Sequence, residues 1–514
     1  MNSLWLDSVN FNNNNLNVSD VECDVCIVGA GIFGMTCAYY LTKLGLDVVV
    51  LEKDTICSKT TGHTTGKITS QHGLFYKHLI DDYGYNFARL YLQSNEDAIE
   101  NIKNIVNSEK ISCDFSLQNS YVYSTTKQEL NDVKAEVEAV RSLNFPCEFA
   151  STVGLPFETC GSVCFKNQAQ FNPAKYVLGL YNSIKNSAHV FTNITVTDIR
   201  KDFDDRYVCF AASSPVQYSS NNNDFPSYKI KSKYVIMASH YPFINFPGFY
   251  FTKMYQSTSY VIAIDPKKSL FNGMFLSAGT PTFSFRTAKF GNKNLLLIAG
   301  SDHKTGSFCT EASSYKILED VAKKYYPDCD ILYRWNTRDC ISLDKIPYIG
   351  QYSDSLPNFF VATSFKKWGM SLSNVAANII VDMITGKENP YFSVYSSDRL
   401  QPIKNMDEFK NVIVQSTKSL VIDKIKKSNI SFDSIPLNSG AIVEINNQKI
   451  GIFRDSNDDI FAVKPFCTHL GCLLSWNDSD KTWDCPCHGS RFDFMGKNIY
   501  DPAFDDLQIF DLGV

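Results

Sequence analysis

No apolar stretch of this 514-residue chain is long enough to cross a bilayer, which takes about 20 consecutive apolar residues. No basic tract is present either. The chain has 49 Lys and Arg against 54 Asp and Glu, for a net charge of -5, and it offers no positive footprint for a nucleic-acid backbone. The opening MNSLWLDSVNFNNNNLNVSD lacks the basic start and apolar run of a secretory signal. Residues 1–20, with the run Asn12 to Asn15, read as a flexible arm. These absences predict a soluble, cytoplasmic protein with no membrane span and no nucleic-acid partner.

Enough apolar material is present for a large core: 44% of residues are hydrophobic, and the length suggests two to four domains. Sixteen cysteines in a chain that reads as cytosolic do not make a disulfide scaffold. Cys37, Cys113, Cys209, Cys309 and Cys329 are scattered singly and read as small buried hydrophobes. Cys23 and Cys26 form a CxxC, but their setting ECDVCIVG is strand-like, so they point to opposite faces. Cys160 and Cys164 have no matching second pair and read as structural thiols.

Residues 24–52, DVCIVGAGIFGMTCAYYLTKLGLDVVVLE, form a βαβ pattern with Gly29-Ala30-Gly31-Ile32-Phe33-Gly34 at the first turn. Gly29 permits the tight turn, Gly31 lets backbone approach a pyrophosphate, and Gly34 lets the helix pack on the strand. The helix start offers N–H groups to phosphate. Glu52 can accept from a ribose diol, with Lys53 beside it.

From about residue 22 to 390 the chain resembles the D-amino-acid oxidase/glycine oxidase family of flavoproteins. The resemblance lies in KDTICSKTTGHTTGKITSQHG after Glu52, in YVIMASHYPF (234–243), in DKIPYIG (344–350) and in NFFVATSFKKWGMSLSNVAANIIVDMITG (358–386). It implies FAD as the dinucleotide, with Thr61, Gly62, Thr65 and Gly66 folded over it and Ala238 passing it. Gly369, Met370 and Ser371 would offer N–H groups to the flavin at a helix start. His63 is the candidate for a covalent flavin link, against a plain hydrogen-bonding role. Where the amino-acid oxidases carry a carboxylate-clamping arginine, this chain has Asp339, in RWNTRDCISLD. An acid there suits a cationic amine, or it is a structural acid paired with an arginine such as Arg334 or Arg338. Arg286, His303 and Lys367 are further catalytic candidates, and Tyr255, Tyr260 and Trp335 could line a pocket. Each has a plain structural reading as core aromatic, surface ion pair or loop residue.

Near the other end, Cys467-x-His469, fifteen residues, then Cys485-x-x-His488 matches the ligand spacing of a Rieske [2Fe–2S] cluster. A zinc finger would place its cysteines first and its histidines later. The resemblance to the Rieske proteins of respiratory cytochrome complexes implies a disulfide between Cys472 and Cys487. It also places the Ser490 hydroxyl toward a bridging sulfide. Phe492 stands where the high-potential members have a tyrosine donor, which predicts a lower potential. DPAFDDL, from Asp501, resembles the covering proline loop.

The expected architecture is an α/β (α+β) FAD-binding Rossmann-type domain with a mixed-sheet substrate domain, plus a small all-β Rieske domain. The boundaries read as an oxidoreductase domain over 21–390 with the substrate sheet at about 245–333, a helical linker over 391–430 and the Rieske domain over 431–514. Helical patterns flank a short strand within 93–142, and Asn446-Asn447 marks a hairpin. No second GxGxxG precedes the cluster region, which argues against a two-dinucleotide reductase. The six histidines outside the cluster motif show no paired spacing for an oxygenase iron. The expected function is a flavin-dependent dehydrogenase of a small amine or amino-acid-like substrate, passing single electrons through the cluster to an external acceptor. Reverse flow from an external donor, or a non-catalytic electron carrier or redox sensor, are the alternatives.

Overall fold

The computed structural model describes residues 3–11, 19–214, 228–305, 312–399, 430–478, 480–500, 502–503 and 505–511. The run VECDVCIV forms the strand Val21–Val28, whose last four residues are buried, as befits a strand covered on both faces. It pairs in parallel with Val48–Leu51 on one side and Tyr228–Met237 on the other. Phe359–Thr363 and Ala188–Phe191 extend the sheet in parallel, and Tyr348–Gln351 closes one end antiparallel. Helix Ile32–Lys43 leaves the first turn and packs on helix Gly369–Thr385. Cys23 and Cys26 are buried free thiols on the central strand.

A second, largely antiparallel sheet holds Met254–Asp265 between Lys293–Lys304 and Asp330–Ser342. It is wider than the 245–333 segment. Met274–Ser277 pairs in parallel with Ser116–Ser124, which brings Gly161–Gln170 and Lys67–Ile68 into the same sheet. A pairing between Ile341 and Phe365 ties the end of Asp330–Ser342 to the turn before helix Gly369–Thr385. That tie carries Asp339 back to the first sheet. Helices Tyr85–Ser108 and Lys127–Ser142 flank the strand Ser116–Ser124, the latter started by a Thr126/Glu129 capping box.

The expected flexible arm over residues 1–20 is instead docked at its start. Residues 4–7 form a short helix with Leu4 and Trp5 buried. The Trp5 indole N–H donates to the Thr64 carbonyl at 2.6 Å, and Leu6 fills the space a side chain at Gly62 would take. An apolar pair with an indole donor gains more by docking than by staying solvated. Asn12 to Asn15 lie outside the described residues.

The C-terminal part is all β. Ser439–Ile445, Gln448–Arg454 and Ile460–Val463 make one antiparallel sheet. Asn446 and Asn447, both with positive φ (50° and 62°), close its hairpin, the geometry that asparagine tolerates best among non-glycine residues. Ser475–Asn477, Thr482–Asp484, Arg491–Asp493 and Asn498–Tyr500 make the other sheet. Of the expected linker over 391–430, residues 400–429 lie outside the described residues; just before them is the short helix Phe392–Tyr395. Among the described residues no helix is long and apolar enough to cross a membrane.

Candidate functional site: a dinucleotide cleft beside a two-cysteine, two-histidine cage

The first turn of the parallel sheet opens onto a cleft that runs from Val28 and Gly29 at the strand end to Gly369 and Met370 at the start of helix Gly369–Thr385. Gly29, Gly31, Ile32, Phe33, Glu52, Lys53, Thr61, Ala238, Gly369 and Met370 all line it. Ala30, Gly34, Gly62, Thr65, Gly66 and Ser371 do not, and several of them have another task. Gly34 crosses the strand so closely that a Cβ would lie 2.0 Å from the Gly29 carbonyl oxygen. The Gly66 carbonyl accepts from the Arg286 guanidinium at 2.7 Å, and the Ser371 hydroxyl donates to the Thr69 carbonyl at 3.1 Å.

The cleft wall has the chemistry of a phosphate and ribose cradle. A Cβ at Gly29 would meet the Ala238 carbonyl oxygen at 2.5 Å, and its φ of +114° favours glycine. The Thr61 hydroxyl oxygen accepts from Ile32 N–H at 3.1 Å and fixes the helix start. The Glu52 carboxylate accepts from Ala30 N–H at 2.7 Å and Asp54 N–H at 3.0 Å. Each oxygen keeps further acceptor capacity for a ribose diol. Burial pushes the Glu52 carboxyl up, and these two backbone bonds pull it back. Ile194, Thr195 and Val196 complete one wall. They follow the edge strand Ala188–Phe191 and carry no motif that would mark them. Ser239, His240 and Phe243 also line the cleft, within the segment YVIMASHYPF.

Asp339 and Lys367 line the same cleft, near Gly369. Burial pushes the Asp339 carboxyl up to about 6, Lys367 pulls it down and Asp302 raises it. Lys367 is ion-paired with Asp302 at 2.9 Å. The neighbouring arginines are turned elsewhere: Arg338 donates to the Asn336 side chain at 3.1 Å, and Arg334 to Glu319 at 2.6 Å. Among the described residues no arginine lines the cleft. Arg286 and His303 lie outside its lining. Arg286 is buried, bonded to the Gly66 and Phe171 carbonyls and placed over the Trp5 ring. His303 stacks with Tyr260 and bonds its hydroxyl at 3.1 Å. The His63 ring bonds the Lys59 carbonyl at 2.8 Å, and the Trp335 indole donates to the His63 carbonyl at 2.9 Å. Tyr255 is likewise outside the lining.

The second centre is built from two tight loops. The Cys467 and Cys485 thiols are hydrogen-bonded to each other. That bond, together with the backbone N–H groups of His469 and Leu470 and the Ser490 hydroxyl, holds the Cys467 thiol below the usual range, at about 7. The rings of His469 and His488 are 5.1 Å apart and nearly perpendicular. Burial lowers both to about 4 and 3, so both are neutral imidazoles. The Nδ1 atoms of both are buried and lack a hydrogen-bond partner among the described residues. Two orphaned imidazole nitrogens and two mutually bonded thiols are the donor types that a two-iron cluster with two cysteine and two histidine ligands requires. Cys472 and Cys487 are joined in a disulfide that ties the loops. Cys485 lies beside it, but two of those three sulfurs are spent on each other and cannot hold a metal. The Ser490 hydroxyl oxygen also accepts from Ala503 N–H at 3.0 Å, anchoring the covering loop. Phe492 is fully buried. Asp501 lies outside the described residues.

The two centres share a wall. The Asn336 amide donates to both Asp480 carboxylate oxygens, at 2.9 and 2.8 Å. Thr60, part of the cleft lining, hydrogen-bonds the Tyr500 hydroxyl at 2.8 Å, and Arg338 lies 4.5 Å over the Tyr500 ring. Gly489, with φ of +84°, fits against Gln256, where a Cβ would meet the amide at 2.6 Å. None of these contacts had a sequence signal, because each joins residues more than a hundred positions apart.

Comparison with known proteins fits both centres. Residues 24–383 match the family model for FAD dependent oxidoreductases, and residues 431–511 match the Rieske [2Fe-2S] domain. The chain belongs to the FAD dependent oxidoreductase family and carries a C-terminal Rieske domain; its cofactors are FAD and a [2Fe–2S] cluster. It is 36% identical over 494 residues to YhfW of Bacillus subtilis (strain 168), a protein named for a Rieske 2Fe-2S centre, covering 96% of this chain and 94% of that one. Its C-terminal part is 32% identical over 93 residues to the cytochrome b6-f complex iron-sulfur subunit of Chlorobaculum thiosulfatiphilum, covering 18% of this chain and 50% of that one. Among solved structures, glycine oxidase from Geobacillus kaustophilus superposes with a TM-score of 0.61 at 19% identity, covering 74% of this chain and 99% of that one. L-proline dehydrogenase from P. horikoshii superposes with a TM-score of 0.59 at 16% identity, covering 74% and 97%. Both likenesses are of fold.

Proposed function

We propose that the protein is a dehydrogenase of a small amine or amino-acid-like compound, bound in the cleft beside Asp339, which delivers electrons one at a time to an external acceptor. The observation that carries this reading is the Asp339 carboxylate in a cleft lining that holds no arginine among the described residues. A buried acid that is ionised above pH about 6 attracts an ammonium group and leaves a free carboxylate without a clamp. The solved structures of like fold include enzymes named for glycine, L-proline and L-amino acids, which supports the substrate class. Bound FAD accepts electrons in pairs from such substrates, and a Rieske cluster passes them singly. Oxidising an amine to an imine removes two electrons and two protons, so each turnover needs two equivalents of a one-electron acceptor. Around that chemistry the chain's own residues do three things. Asp339 binds and orients the ammonium. The Lys367–Asp302 pair beside it keeps the wall charge-balanced, so that Asp339 supplies the net negative charge. Tyr500 and Thr60 join the Rieske domain to the cleft wall.

The test is electron paramagnetic resonance on anaerobic, fully loaded protein before and after candidate amines, with the flavin absorption followed alongside. A Rieske signal that grows as the flavin bleaches is the expected result. A signal that appears only with dithionite, whichever amine is added, would remove the amine reading.

A further inference from the structure

Both cluster histidines turn their outer ring edge toward the oxidoreductase domain, and one short segment of that domain receives them. His469 Nε2 lies 3.1 Å from the Asn245 side-chain oxygen. With Nδ1 unpartnered among the described residues, this bond fixes the tautomer: Nε2–H donates to Asn245, and the Nδ1 lone pair is left for iron. The His488 ring is hydrogen-bonded to the backbone of Phe251. The Phe251 ring meets it edge-on at 5.8 Å, and the Tyr241 ring at 6.5 Å. His488 is buried as a result. All these partners lie within residues 241–251, and the same stretch begins at Ala238, Ser239 and His240, which line the cofactor cleft.

We infer that residues 241–251 are the outer coordination sphere of the cluster, and that Asn245 is a positioning residue that sets the cluster potential from outside the Rieske fold. An acceptor on the outer N–H of a ligating imidazole makes the ring a stronger donor. A stronger donor stabilises the oxidised iron and lowers the potential. The Phe251 carbonyl acts on His488 in the same sense but is backbone, so no side-chain substitution removes it. Asn245 is the residue at which the effect can be switched. The inference goes beyond the proposed reaction, because it holds for either direction of electron flow and for any substrate.

The experiment is a redox titration of the full-length, cluster-loaded protein followed by electron paramagnetic resonance. Asn245→Leu removes the acceptor at similar size and should raise the midpoint potential and move the g-values. Asn245→Asp supplies a stronger acceptor and should lower the potential. Asn336→Ala, which removes a bond between the same two domains away from the histidines, should leave potential and g-values unchanged. Shifts of the same sign in the Leu and Asp variants, or no shift in either, would overturn the inference, the first by showing that only loosened docking was measured. If Asn245→Leu does not load, Asn245→Asp decides alone: a lower potential supports the inference, and an unchanged or higher one sinks it.

Discussion

The two cysteines and two histidines whose donors suit a cluster lie within residues 467–488, whereas the cofactor cleft collects its lining from stretches spread between Val28 and Ser373. The cage is a local object. Two loops, a disulfide and two short hairpins hold it, and spacing along the chain is enough to write it down. The cleft is a topological object, made where parallel strands end and two sheets meet. Its parts share a wall only because Tyr228–Met237 lies beside Val21–Val28 and because Asp330–Ser342 returns through the Ile341–Phe365 pairing. Local sites tolerate change elsewhere in the chain, while topological ones depend on it.

The contrast can be broken at its most local point first. Cys485→Ser should abolish the Rieske signal while flavin absorption persists, since Cys485 is not part of the cleft lining; loss of flavin in the same variant would mean the two centres are not separable. The converse is Gly31→Val, whose Cβ would start 3.2 Å from the Thr61 hydroxyl. FAD affinity should fall at least about 100-fold, about 2.7 kcal/mol, with the cluster signal retained, as read by flavin titration of the apoprotein. Removing the disulfide with Cys472→Ala and Cys487→Ala, fifteen residues apart, should cost about 2–4 kcal/mol. Cluster bleaching should then occur at lower denaturant while flavin release is unchanged. Asp339→Asn should lower kcat/KM for an amine about 10- to 100-fold, the range of a charge-assisted bond. The sign of the pH profile follows from the raised carboxyl: Asp339 is neutral below about 6 and ionised above it, so kcat/KM should rise with pH through that value. In the Asn variant that limb should vanish. A profile identical in both proteins would take Asp339 out of the site.

The same contrast explains what could be read without a structure. The GxGxxG turn, Glu52, the cluster spacing and the Asn446-Asn447 hairpin were legible because each is a short-range rule about backbone reach or ligand geometry. Asp339 was legible as a departure from a family pattern, and the structure separates it from Arg334 and Arg338, which have partners of their own. Arg286 and His303 could not be placed from sequence, since a buried arginine that braces carbonyls and one that faces a substrate look alike in a strand. Trp5 and Leu4 were hidden by the polar run that follows them. The wall from Ile194 to Val196 and the contacts of Asn245, Phe251 and Gln256 are products of tertiary assembly alone.

Arg491 is buried and salt-bridged to Asp484 and to Asp480, and Asp480 in turn takes both hydrogen bonds from Asn336 of the oxidoreductase part. The residue that braces a Rieske hairpin from within therefore also sets the carboxylate on which the domains latch. For anyone grafting a different Rieske module onto this oxidoreductase, matching the four iron ligands would not suffice. A donor module without the arginine and its two acids would present a misaligned or unpaired latch, so the exchangeable unit is the cage together with this ion-pair triad.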